Sequence, residues 1–182
     1  MKINIKKILD KKEYCEKIFM EFLNNKLIRE NQSQSFESNL NKSIKNLEFG
    51  NFILDEHNYS IKEKLPNKTF YDWCITIYYY ALYHAALALS AKAGYESKNH
   101  VATITIVTLF YYHKDNILNK EEIRFIIENM GLEKTDIDLI IDSKGLRERA
   151  SYGADELFEL KQAQNMQKET SDLINKIRAF LE

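Results

Sequence analysis

The sequence predicts an all-α protein, an up-and-down bundle of four to five helices with an extra N-terminal helix. Three observations lead there. The 182 residues include one proline and five glycines, too few turn-forming residues for a sheet-rich domain. Hydrophobic residues make up 45% and charged residues 29%, the balance of a folded globular chain. One segment, near residues 70–93, is apolar almost all round, as a helix at the centre of a bundle must be.

The elements follow in order. Residues 12–30 place Cys15, Ile18, Phe19, Phe22 and Leu27 close to one helical face. The polar run 31–39 reads as a loop leading into a helix start. A second helix carries Leu40, Ile44, Leu47 and Leu54 on one stripe and fades before Leu65 and Pro66, since a proline disfavours helix in the residue before it. Thr69 opens the third helix, with Asp72 placed as in a capping box, and Gly94 suits its left-handed end. Residues 98–113 are rich in Val, Ile, Thr and Tyr, which favours strand locally. No partner strand is evident, so a buried helix is expected. Asn119 with Glu122, and Thr135 with Asp138, mark two further helix starts separated by Gly131. After a break at Gly145 a long helical region, 146–181, closes the chain, with a kink expected at Gly153. The organisation is an N-terminal helical extension over 1–35 and a bundle over 36–182.

Several function classes are disfavoured. A net charge of −1 makes no global case for nucleic acid or membrane, although a local RNA-contacting cleft is compatible with it. Cys15 and Cys74 form no CxxC pair and read as buried small hydrophobes in a reducing compartment. The four histidines show no metal-ligand spacing, so no metal and no cofactor is expected. The first residues, MKINIKKILDKKEYCEK, have neither the apolar run nor the cleavage site of a secretory signal, which points to a cytoplasmic protein. The stretch from Ile75 to Ala93 is almost long enough to span a bilayer, but its four tyrosines and His84 favour a buried core helix.

Two segments, in this order, carry a likeness. They are YDWCITIYYYALYHAALALSAKAGYESKNH (71–100) and GLRERASYGADEL (145–157). They resemble HEPN domains, in particular the small prokaryotic ones with a YYA-x-[FY]-HAA helix, a following K-x-H and a later LR-x-x-A-x-YG. The preceding NLEFGNFILDEHNYSIKEKL fits that family's leading helix. The resemblance covers roughly residues 36–181. It implies a helical bundle that is usually a homodimer. In many HEPN proteins an R-x(4–6)-H motif forms a metal-independent RNase site, often assembled across the dimer. Such proteins are frequently paired with a small nucleotidyltransferase as toxin and antitoxin. Others bind nucleotides or serve as interaction modules. An RNA or nucleotide ligand is therefore the expectation.

RNA cleavage without a metal needs a base for the 2′-hydroxyl, an acid for the leaving oxygen and a cation for the developing charge. Arg147 stands at the family's arginine position, and its fork suits a phosphate as well as an ion pair in the bundle or interface. Tyr152 stands where the histidine would be, and tyrosine, with a pKa of about 10, is a poor base at neutral pH. On a straight helix the two lie about 140° apart, so they share a cleft only across a bend or between subunits. Arg149 reads mainly as a solvated helix residue. His84 reads first as a satisfied core histidine, and His100 as a structural residue that could also face a cleft. His57 and His113 read as surface residues. Asp72 suits the positive end of a helix, with an Asp72–Arg147 pair as a second reading. Tyr79 and Tyr83 are candidates for stacking on a base, but consecutive residues of a helix diverge, so most of tyrosines 78, 79, 80 and 83 must serve the core or an interface.

Overall fold

The structure, a computed structural model, describes residues 3–31, 35–66, 68–130 and 159–182. Among these it is all-α apart from two short strands. Helix α1 (Ile5–Asp10) begins where Asn4 Oδ1 accepts the Lys7 amide at 2.9 Å. Helix α2 (Lys12–Asn24) buries Cys15, Ile18, Phe19 and Phe22 of the face its spacing predicts, but it ends before Leu27, and the last residues of 12–30 are strand rather than helix. Strand β1 (Ile28–Glu30) follows. Helix α3 (Phe36–Glu56) continues through a π-helical turn (His57–Ile61) into the short α4 (Lys62–Lys64). Helix α5 (Tyr71–Lys92) ends at Gly94, whose φ of 86° is the left-handed conformation expected there. Strand β2 (Tyr95–Ser97) leads into α6 (His100–Val107), a second π-helical turn (Thr108–Lys114), α7 (Lys120–Asn129) and α8 (Leu160–Leu181).

Helix α5 is the centre. It packs along α3 and α8 and buries residues on nearly every side, among them Ile75, Tyr78, Leu82, Ala85, Ala86 and Leu89. It is long and apolar enough to cross a membrane, yet 72% of its most apolar window is buried inside the protein, as in a core helix. The two thiols are fully buried, which pushes both up to about 12 and leaves them neutral.

Some expectations need correction. Helix α5 starts at Tyr71 rather than Thr69, and its N-cap residue, Phe70, offers no side-chain acceptor; Asp72 keeps only the favourable first-turn position. A strand pair exists after all, although outside 98–113. Ile28, Arg29 and Glu30 face Ser97, Glu96 and Tyr95 in an antiparallel ladder. Each strand is three residues long, too short for alternation to show in the sequence. The 98–113 stretch is indeed helical. Two of its buried hydroxyls bond back to the backbone one turn earlier, Thr105 Oγ1 to the Val101 carbonyl at 2.8 Å and Thr103 Oγ1 to that of Asn99 at 3.1 Å, whereas Thr108 Oγ1 is buried without a partner among the described residues. Asn119 and Glu122 form the reciprocal capping box expected of them. The proposed helix start at Thr135 and Asp138, the glycines 131, 145 and 153, and residues 146–158 of the last helical region lie outside the described residues.

Candidate functional site

The tyrosine-rich turns of α5 meet the start of α6. Tyr79 and Tyr83 are one helical turn apart and stack, with ring centroids 6.3 Å apart and planes 3° from parallel. Beyond Gly94 and β2 the chain returns, and Asn99 caps α6 by accepting the Ala102 amide at 2.8 Å. That cap sets His100 in the first turn of α6, against α5. Its Nε2 lies 2.9 Å from the Tyr79 hydroxyl. Its ring meets Tyr83 edge-on at 4.8 Å. His84 adds a tilted contact with Tyr83 at 5.7 Å.

Burial separates the members of this cluster. Tyr79 is buried, whereas Tyr83, His84 and His100 are half-buried and present part of their surface to solvent. Tyr79 therefore orients His100, and the other three are accessible to a ligand. Burial raises the Tyr83 phenol above its ordinary value, so it stays a hydrogen-bond donor. Burial, and secondarily the charge of Lys42 on α3, lower the His84 imidazole and favour its neutral form. The expected satisfied core histidine is not what His84 is. It is half-buried, and its Nδ1 has no hydrogen-bond partner among the described residues. Such an arrangement offers aromatic and imidazole ring surface that can stack on a base, while Nδ1 of His84 and of His100 is turned inward.

The other predicted residues fall elsewhere. Asp72 is seven residues before Tyr79, about 10 Å along the helix axis, and does not join the cluster. Arg147, Arg149 and Tyr152 lie outside the described residues, and so does any Asp72–Arg147 pair. Among the described residues no group of three or more His, Cys, Asp or Glu side chains could hold a metal ion.

His57 and His113 are not surface residues. His113 is half-buried, with a ring nitrogen 2.9 Å from the Ile8 carbonyl. His57 is only 4% exposed, and its ring stacks on Tyr71 at 4.2 Å. The sequence did hold a signal for His57: it stands three residues after Leu54, in step with the buried stripe Leu40, Leu47, Leu54. A tyrosine–asparagine–glutamine link was also missed. Asn51 Oδ1 accepts from the Tyr78 hydroxyl at 3.0 Å and from Gln167 Nε2 at 3.1 Å, tying α3, α5 and α8 together. Only the tertiary fold brings those three residues close.

Fold and site thus define an all-α bundle with a tyrosine–histidine cluster where α5 meets α6. No family model matches the chain, and no curated protein matches it.

Proposed function

We propose that this chain is a HEPN-type module that binds RNA or a nucleotide through Tyr83, His84 and His100, as the cytoplasmic component of a toxin–antitoxin or defence pair with a small nucleotidyltransferase. The observation that carries the reading is the Tyr79–His100 contact at 2.9 Å. It joins the two parts of the first HEPN-like block, the aromatic helix and the Lys98-x-His100 that follows it. Tyr83 supplies a stacking face, His100, whose Nε2 is engaged by Tyr79, a second ring surface, and Arg147 a fork for phosphate. Binding is the claim rather than cleavage, because Tyr152 takes the position of the histidine that would move a proton.

A thermal-shift screen with ATP and short single-stranded RNA tests it, since a ligand of the native state raises the melting temperature. The shift should be lost in Tyr83→Ala and in Arg147→Ala. Cleavage of single-stranded RNA by the wild type and not by Arg147→Ala would extend the reading to a nuclease. A flat screen with no cleavage would end it.

One observation favours a second reading, a homodimeric interaction module. Trp73, Ile77, Tyr80, His84 and Leu87 recur at alternating spacings of four and three on α5 and carry no acidic or strongly basic group. Trp73 is 60% and Tyr80 40% exposed, large for aromatics of a central helix. A second copy of the chain would cover this stripe. Light scattering should then show a dimer that Tyr80→Glu dissociates, and a monomeric wild type would refute it.

A further inference from the structure

The start of α5 lacks the usual cap. Phe70, its N-cap residue, makes no side-chain hydrogen bond, yet the first amides of a helix have no partner inside it. A residue from the preceding element fills the gap. The Phe70 amide donates to His57 Nε2 at 3.3 Å. The imidazole comes from the π-helical turn that ends α3, and the Tyr71 ring stacks on it at 28° between planes. A π-helical turn costs backbone regularity, and here it carries the histidine that meets α5.

We propose that His57 is a protonation-sensitive latch, which holds the start of α5 while the ring is neutral and releases it when the ring takes up a proton. The reason is the direction of the bond. Nε2 can accept the Phe70 amide only while it carries no hydrogen of its own; a proton there sets two donors face to face. Charging the ring is disfavoured as well. His57 is buried, Nδ1 finds no hydrogen-bond partner among the described residues, and no carboxylate among them pairs with the ring. The groups around it reinforce this. Lys62 on α4 adds like charge, Tyr71 on α5 contributes a neutral ring, and the neighbouring Glu56 carboxylate is occupied by the Ser60 hydroxyl. Burial, the largest influence, holds the imidazole below its ordinary value; a contact with the residue's own backbone opposes it, and Lys62 adds a smaller push in the same direction as burial. The latch therefore contributes fully above the ordinary histidine pKa of about 6.5, and its contribution is lost as pH falls through the lowered folded-state value. What opens is the first turn of the helix that carries Tyr79, Tyr83 and His84 further along. The latch does not depend on the ligand reading above.

Amide hydrogen exchange of the intact protein tests it, expressed as protection factors so that the intrinsic effect of pH cancels. The titration starts at about pH 8 and continues until NMR shows the His57 ring protonated. Protection of the Phe70 amide, and of the Cys74 amide that closes the first turn on the Phe70 carbonyl at 3.1 Å, should fall by about tenfold or more in the wild type. In His57→Gln, which keeps an acceptor that does not titrate, it should stay flat, and His84→Gln should respond like the wild type. Protection that survives ring protonation, or that falls equally in His57→Gln, overturns the proposal. If His57→Gln does not fold, the wild type still decides: a hydrogen on Nε2 at neutral pH overturns the latch, and an unprotonated Nε2 supports it.

Discussion

Two cores lie side by side in this molecule and differ in how closely their helices approach. The larger one surrounds α5, where Ala81, Ala85, Ala86 and Ala88 are buried and Gly50 of α3 lies against the Tyr78 ring. Small residues let the helix backbones approach closely at these points, while large side chains such as Leu82, Leu89 and Ile174 fill the rest of this core. The second core lies between α2, β1 and α6 and is filled by large side chains: Ile18, Phe19, Phe22, Ile28, Ile106 and Leu109. Phe19 sits edge-on to Tyr95 at 5.1 Å and to Phe110 at 5.6 Å. The first core should be sensitive to added volume and the second to its removal.

Truncation in the second core should have the largest effect. Phe22→Ala is expected to destabilise the protein by about 3–5 kcal/mol, read from the denaturant midpoint. A loss below about 1 kcal/mol would show that the N-terminal helices are an appendage rather than part of a shared core.

The reciprocal change belongs to the first core. A Cβ built on Gly50 would lie 2.6 Å from Tyr78 Cε1, closer than real contacts allow. Gly50→Val should therefore cost about 1–3 kcal/mol by overpacking, even though glycine is a poor helix former. Tyr78→Phe should not rescue it, since the clash is with ring carbon. A neutral or stabilising Gly50→Val would mean that α3 and α5 can separate at no cost.

The seam between the cores should respond less. Asn119 caps α7 by accepting the Glu122 amide at 2.9 Å, and Asn119→Ala should cost about 1 kcal/mol in thermal or chemical unfolding. The next residue, Lys120, reaches α1 and pairs with Asp10 at 2.6 Å. That hydrogen bond holds the Asp10 carboxyl below its ordinary range. Its contribution is present above the ordinary carboxylate pKa and is lost as pH falls through the lowered value. Asp10→Asn should give the smallest loss of the set, shrinking in high salt because the pair is exposed. A loss that salt leaves unchanged would point to packing rather than charge.

The histidines show how much of the site could be read in advance. Tyr79, Tyr83, His84 and His100 could be picked out together because three lie within six residues on one helix and His100 follows in the next. Their convergence could not, since it depends on Gly94 reversing the chain and on a three-residue ladder that leaves almost no periodic trace. His57 was misread for a related reason. Polar residues flank it, and only the continuation of the α3 stripe through a π-helical turn carries it inward. His84 shows the reverse error: an apolar segment suggested full burial, yet its position on the open side of α5 leaves it half-exposed.

By itself the sequence determined the helices, because their causes are local. Apolar period, the Asn119–Glu122 box, the scarcity of turn residues and the left-handed glycine at position 94 all act within a few residues. It also determined that α5 is central, since a helix apolar on all sides has to be surrounded. The helix over 98–113 could be expected from the want of a partner strand, against its local strand preference; tertiary structure alone decided that β1 finds β2, and that Nε2 of His57 meets the Phe70 amide while that of His100 meets the Tyr79 hydroxyl. Those outcomes depend on partners distant in the chain. The free energy of burial and of satisfied polar groups, summed over the packed whole, outweighs local preferences of a few tenths of a kcal/mol to about 1 kcal/mol per residue.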